Sequence, residues 1–481
     1  MQQQKAEQVR PFGIRDKLGY MFGDFGNDFT FILSSSILMK FYTDVMGVSA
    51  GIVGTIMMLT RFIDAFTDVT MGRICDRSRP TAAGKFKPWL KRMCIPVAVA
   101  SFLMYAPGLS SGAAGWSSGV KIVYLVFTYI LWSSFCYTGI NIPYGSMASA
   151  ISPEPGDRQS LSTFRTMGST LAGLVIGVGL PMLAYDKVTL ANGAVQDRIN
   201  GQKVALVALA FSICAVICYV LCYSLVTERV KNLPQSDSKE ARTSIVQMFK
   251  NAVHNRALIS IIVASIVQLL AQLTMQSMNS YIYPDYYNNA SAQGVSTILM
   301  VVAMLIAAFL TKPLSEKFGK AEVAAISNLF TGIVCLVTFL VRPQSVWVFC
   351  FLQMLNWLGL GMFSMVCWAL ITDVIDYAEL KNGIREDGSV YALYSFARKL
   401  GQAVASGLSG WLLEAIHYNN QAIEQGVAQT QAVKNGIFNI STLVPCAGFI
   451  LLAAALWFWY PLHKKQVEEN VALLKAKHEQ Q

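Results

Sequence analysis

Hydrophobic and polar positions alternate along this chain on a long period, with apolar runs of a membrane-spanning length separated by short polar or charged turns. The runs fall near 20–42, 51–72, 90–108, 121–144, 165–185, 204–226, 257–281, 295–312, 321–341, 346–371, 390–416 and 436–461. About 20 apolar residues carry a helix across the hydrocarbon layer. The pattern therefore predicts an all-α integral membrane protein with twelve transmembrane helices.

The longest polar interruption, 227–256, lies near the middle of the 481 residues. It divides the chain into an N-terminal six-helix bundle (1–226), a cytoplasmic linker (227–256), a C-terminal six-helix bundle (257–462) and a polar cytoplasmic tail (463–481). The halves carry a weak internal repeat: GRICDRSRP follows the second run and TKPLSEKFGK the eighth. Paired halves of this kind are typical of transporters, whose substrate site lies between repeats near mid-membrane.

Composition narrows this picture. The chain is 54% hydrophobic and 14% charged, too apolar for one soluble core. Its net charge of +10 comes from Lys and Arg in short segments, as positive-inside topology requires, so no nucleic-acid partner is expected. The basic loop after the second run and the basic linker are expected to be cytoplasmic, as are both termini. The ten cysteines lack zinc or disulfide spacing and read as buried fillers. His254, His417, His463 and His478 lie in loops, helix ends or the tail, so no acid–base or metal constellation forms, and neither an enzyme nor a cofactor is expected.

Charges inside the apolar runs carry the chemistry. A carboxylate in a membrane helix is costly and needs a partner or a purpose. The second helix reads TRFIDAFTDVTMG, which puts Arg61, Asp64, Thr67 and Asp68 on one face. Two close carboxylates repel when both are ionised, so they favour a proton or a hard cation with oxygen ligands. A structural bridge to Arg61 or Lys399 is the alternative. The first helix carries GDFGNDFTF, with Asp24 and Asp28 four apart. Asp28 is the better candidate for accepting sugar hydroxyls; Asp24 reads equally as a helix-start acid paired with Arg15 or Lys17. In YTGINIPYG, Tyr137, Thr138 and Asn141 share about a turn before Pro143. Arg165 opens the fifth run, and Arg398 and Lys399 lie in SFARKLGQA.

These segments together resemble a known family. RFIDAFTD, GKFKPW, YILW followed by YT, FYTDV, and DVIDYAELK followed by Lys399 look like the melibiose permease group, the glycoside–pentoside–hexuronide:cation symporters of the major facilitator superfamily. The resemblance implies two pseudo-symmetric six-helix bundles in a bacterial inner membrane, a monomer among membrane lipids, and symport of a sugar with Na⁺, Li⁺ or H⁺. It implies a cation site at Asp64, Thr67, Asp68 and Thr138, and sugar contacts at Asp28, Tyr137, Asn141 and Arg165, with Lys399 near both. It also implies an inner gate of charges, Arg77 and Arg79 against Asp373, Asp376 and Glu379, with Arg61 in the wider network.

Departures from the family concern the sugar more than the ion. Thr67 replaces an asparagine, Asn27 a lysine, Asn141 an aspartate, and Gly145 and Ser364 tryptophans. The sugar is then not melibiose, and a wider, less acidic pocket beside Arg165 suits a bulkier or anionic glycoside. A lipid or drug carrier of the same fold is the alternative, with a membrane sensor or enzyme as the rival from another class.

Overall fold

A computed structural model describes residues 10–110, 114–190, 193–230, 255–382, 387–422 and 425–479. Most of the expected linker, from 231 to 254, and His254 with it, lie outside the described residues.

The N-terminal half runs α1 (Ile14–Lys40), α2 (Ala50–Arg77), α3 (Lys87–Leu103), α4 (Ser118–Ile130), a π-helical stretch Leu131–Tyr137 continuing into α5 (Thr138–Ile151), α6 (Pro155–Leu183) and α7 (Gly201–Leu225). The C-terminal half runs α8 (Arg256–Tyr281), α9 (Ser291–Phe318), α10 (Lys320–Val341), α11 (Val346–Asn382), α12 (Asp387–Ala415) and α13 (Gln431–Ala454), followed by α14 (Lys464–Glu479) in the tail. Among the described residues, nine helices are long and apolar enough to cross a membrane. Three more complete the set of twelve. The first, α1, carries Asp16, Lys17, Asp24 and Asp28; α3 has 17 residues; and α12 carries Arg398, Lys399 and Glu414. Charge sets α1 and α12 apart from the nine, and shortness sets α3 apart. The large apolar side chains left exposed, such as Phe66, Phe127, Phe309 and Phe458, are what a lipid-facing surface requires.

Polar side chains satisfy several helix starts, whose first N–H groups have no partner within the helix. Ser117, Asn200, Asn255 and Thr430 each accept from the backbone N–H of the first turn. At α3 the cap comes from far along the chain. Glu228 accepts from the N–H groups of Lys85, Phe86 and Lys87 at 2.6–3.0 Å, a fit allowed by Gly84, whose φ of +120° a side chain would not tolerate and whose missing Cβ leaves room for the carboxylate. Burial holds the Glu228 carboxyl above the usual glutamate range despite those donors. Nearby, buried Asp16 accepts from Arg10 at 2.7 Å and from Arg229 at 2.8 Å. The residues opening the linker are thus bonded to the start of α1 and of α3.

The repeat extends to the backbone. The first helix of each half closes on a five-residue π-helical turn, Phe41–Val45 after α1 and Ile282–Tyr286 after α8. In one, Met46 N donates to Phe41 O and Val48 N to Tyr42 O, at 3.1 and 2.9 Å; in the other, Tyr287 N donates to Ile282 O and Asn289 N to Tyr283 O, at 3.0 and 2.8 Å. The helices that follow, α2 and α9, both have 28 residues.

Contacts divide the chain into two compact units. One comprises 1–48, 62–185 and 199–236; the other 49–61, 186–198 and 237–481. Two excursions from the N-terminal half thus pack within the second unit. The start of α2 lies against α12, where a Cβ on Gly410 would sit 2.3 Å from Ala50 O; small residues permit such close helix approach in membranes. Glu414 accepts there from Gly51 N at 3.0 Å and from the Ser49 hydroxyl. The other excursion is a two-stranded hairpin, β1 (Tyr185–Thr189) and β2 (Val195–Ile199), an addition to the all-α expectation. Arg198 of β2 donates to the carbonyls of Ala422 and Val427, and Asp197 accepts from Ala290 N at 2.8 Å. All ten cysteines are free, and nine are buried.

Candidate functional site

The acidic pair of α2 faces hydroxyls from the π-helical stretch and α5. Asp64 accepts from Ser133 Oγ at 2.5 Å through Oδ2 and from Ser134 Oγ at 2.6 Å through Oδ1. One turn on, Asp68 accepts from Thr138 Oγ1 at 2.8 Å. Thr138 also reaches the carbonyl of Ser133 at 3.2 Å, five residues back, which is the spacing of a π-helix. Thr67 lies between the acids in sequence, and its hydroxyl bonds the carbonyl of Asp64 at 3.1 Å. Each carboxylate is therefore met by side-chain oxygens.

The acids of α1 form a second polar group in the same unit. Arg165 of α6 donates through Nε to Asp24 at 2.9 Å and sits over the Tyr144 ring, 5.5 Å from its centroid. The Asp24 partner is thus Arg165, in place of the Arg15 or Lys17 alternative. Tyr144 stacks on Tyr20 at 4.6 Å and donates to the Tyr20 carbonyl at 2.7 Å. A Cβ on Gly23 would fall 2.2 Å from the Tyr144 ring, so glycine there lets the ring support the guanidinium. Asp28 is half-buried and bonded to Ser169. Asn141 of α5 accepts from Asn27 Nδ2 at 3.4 Å, and Asn27 in turn accepts from Tyr219 of α7 at 2.9 Å. A Cβ at Gly145 meets nothing within 4 Å, which leaves open space where the family resemblance places a tryptophan.

Tyr137 joins an aromatic ladder, stacked on Phe31 at 5.6 Å and tilted against Trp132 at 5.4 Å. The remaining expected residues are distributed more widely. Arg77 and Arg79 are exposed at the end of α2, whereas Asp373 of α11 forms an ion pair with Lys320 of α10 at 2.6 Å. Asp376 is half-buried and Glu379 buried on the same helix. Arg61 and Lys399 both belong to the second unit, Lys399 exposed on α12.

Sequence reasoning missed Ser133 and Ser134, although an SS dipeptide between Trp132 and Phe135 on the helix already carrying Thr138 was the available signal. It also missed Lys40, which is 1% exposed at the end of α1 and paired with Asp44 at 2.9 Å.

Comparison with known proteins gives this geometry a family. Residues 19–464 match the family model described as MFS/sugar transport protein. The glucuronide carrier protein homolog of Escherichia coli (strain K12) is 30% identical over 461 residues, covering 95% of this chain and 94% of the relative. The isoprimeverose transporter of Lactiplantibacillus pentosus is 29% identical, covering 97% and 92%. A crystal structure of a D-xylose-proton symporter superposes with a TM-score of 0.62 over 93% of this chain and 97% of that one, at 14% identity, a likeness of fold alone. The full-length match and the paired six-helix halves lead to one conclusion: the chain is an integral membrane sugar transporter of the major facilitator superfamily, in its glycoside–pentoside–hexuronide family.

Proposed function

We propose that this protein is a cation-coupled symporter of a glycoside bearing an anionic group, working by alternating access in a bacterial inner membrane as a monomer with both termini in the cytoplasm. The observation that carries the coupling is the cluster of oxygen ligands at Asp64 and Asp68, where the hydroxyls of Ser133, Ser134 and Thr138 meet two carboxylates.

Two carboxylates one helical turn apart, about 6 Å, repel by roughly 3 kcal/mol at an effective dielectric of 20. Hydrogen bonds to a charged group return about 1.5–3 kcal/mol each, so the hydroxyls of Ser133, Ser134 and Thr138 offset part of that repulsion. A hydroxyl is also an acceptor. When Na⁺ or Li⁺ enters, each hydrogen rotates away and its lone pair joins the carboxylate oxygens as a hard-cation ligand. A proton would instead be taken up by a carboxylate. Either way the cation removes the repulsion and sets the state in which sugar binds, and reciprocity requires the sugar to tighten cation binding by the same factor.

The anionic preference rests on Arg165, a planar donor suited to carboxylate or sulfonate. Asn141, a neutral amide where the family resemblance places an aspartate, leaves Asp24 and Asp28 as the carboxylates of this polar group, and Asp24 is already paired with Arg165. The relative named as a glucuronide carrier homologue supports the same reading.

The test is uptake into energised membrane vesicles, with Na⁺ and pH gradients imposed separately. A labelled aryl β-glucuronide is expected to accumulate against its gradient under one cation gradient. Equal uptake with and without both gradients would overturn the coupling, and preference for the matching neutral glucoside would overturn the anionic reading.

A further inference from the structure

Asn27 is 1% exposed and Tyr219 is 1% exposed. They stand behind Asn141 as a chain of hydrogen bonds across three helices: Tyr219 Oη of α7 donates to Asn27 Oδ1, and Asn27 Nδ2 of α1 donates to Asn141 Oδ1 of α5. The chain has a direction. A buried hydroxyl hydrogen left without an acceptor is penalised by the full desolvation of that group, and Asn27 Oδ1 is the acceptor that Tyr219 meets. An amide has its acceptor and its donors on opposite sides. Once Tyr219 claims the Asn27 oxygen, the Asn27 nitrogen faces Asn141. Asn141 then turns its oxygen inward and its two N–H groups away from Asn27. Asn141 is half-buried, and among the described residues its Nδ2 donates to no protein acceptor.

Position makes this polarity matter. Asn27 is three residues from Asp24, so the two share a face of α1, and Asp24 holds Arg165. The relay and the Arg165–Asp24 pair are thus anchored one helical turn apart on α1, at Asn27 and Asp24. We propose that Tyr219 and Asn27 are positioning residues that fix Asn141 as a hydrogen-bond donor toward the transported sugar, so that this wall selects glycosides presenting acceptor oxygens, a carboxylate above all. Without the relay, Asn141 is free to present its oxygen instead, which favours a hydroxyl. The inference rests on the anionic-glycoside reading and deepens it.

The experiment measures KM and Vmax for two probes that differ at one carbon, p-nitrophenyl β-D-glucuronide and p-nitrophenyl β-D-glucoside, in vesicles carrying wild type, Tyr219→Phe or Asn27→Leu. Wild-type preference for the glucuronide tests the underlying reading, and its absence sinks that reading whatever the variants do. Given that preference, each variant is expected to raise KM for the glucuronide about tenfold, the scale of one charge-assisted hydrogen bond, and KM for the glucoside less than about twofold. A residue that merely supports the fold would lower Vmax for both probes and leave the KM ratio alone. An unchanged KM ratio in a folded variant overturns the relay, and Asn27→Leu decides the matter should Tyr219→Phe not fold.

Discussion

Arg165 and Asp24 are held together by a 2.9 Å hydrogen bond between Nε and Oδ1, with the guanidinium partly open and the carboxylate buried. Because the two partners differ in exposure, losing one is not equivalent to losing the other. Arg165→Gln leaves a buried charge uncompensated, a loss of about 3–5 kcal/mol for fully buried pairs and less here. It is expected to lower the melting temperature in detergent and abolish uptake. Adding Asp24→Asn should restore most of the melting temperature but not the uptake, since the anion donor is still missing. Thermal unfolding and uptake on the single and double variants check this.

Asp68→Asn is expected to abolish uphill uptake while sparing sugar exchange across vesicles loaded on both sides. Ser133→Ala and Ser134→Ala each remove one oxygen from Asp64. Each should raise the cation concentration for half-maximal uptake roughly tenfold, and the pair more than the product of the two, because neighbours around one carboxylate are not independent. Cation titrations of uptake measure it.

Gly410 tolerates no side chain, its Cβ position being 2.3 Å from Ala50 O. Gly410→Val should force the start of α2 away from α12, lowering both stability and transport rate. A small loss at neighbouring Ser409→Ala, whose hydroxyl bonds its own helix at 3.0 Å, serves as the contrast.

The hairpin makes a local prediction. Arg198→Ala removes the donors to the Ala422 and Val427 carbonyls and should raise amide hydrogen exchange across 186–198 at least tenfold, leaving exchange in α1 and α7 unchanged.

The helices were legible because lipid demands a contiguous apolar run, and the acids of α2 because lipid makes every charge conspicuous. The partners of those acids were not. Ser133 and Ser134 look like packing residues in an apolar helix, and the sequence does not mark the π-helical stretch in which both reach one carboxylate. Asn27 and Tyr219 were hidden for a related reason: an uncharged polar group in a membrane helix becomes informative only when its neighbour on another helix is known. The hairpin had a signal, Asn192-Gly193 between two short β-prone runs, which the search for long runs passed over. Asp373 reads in sequence as one of several gate acids, and only the packing of α10 on α11 identifies Lys320 as its partner.

The two matched π-helical turns have a practical meaning. FYTDV and IYPDY share only a tyrosine and an aspartate, at the second and fourth positions, yet carry the same pair of backbone bonds to the residues that follow. The same backbone irregularity is thus reached from two different pentapeptides, one in each half. A chain with one pentapeptide transplanted into the other site should still insert, fold and reach the membrane.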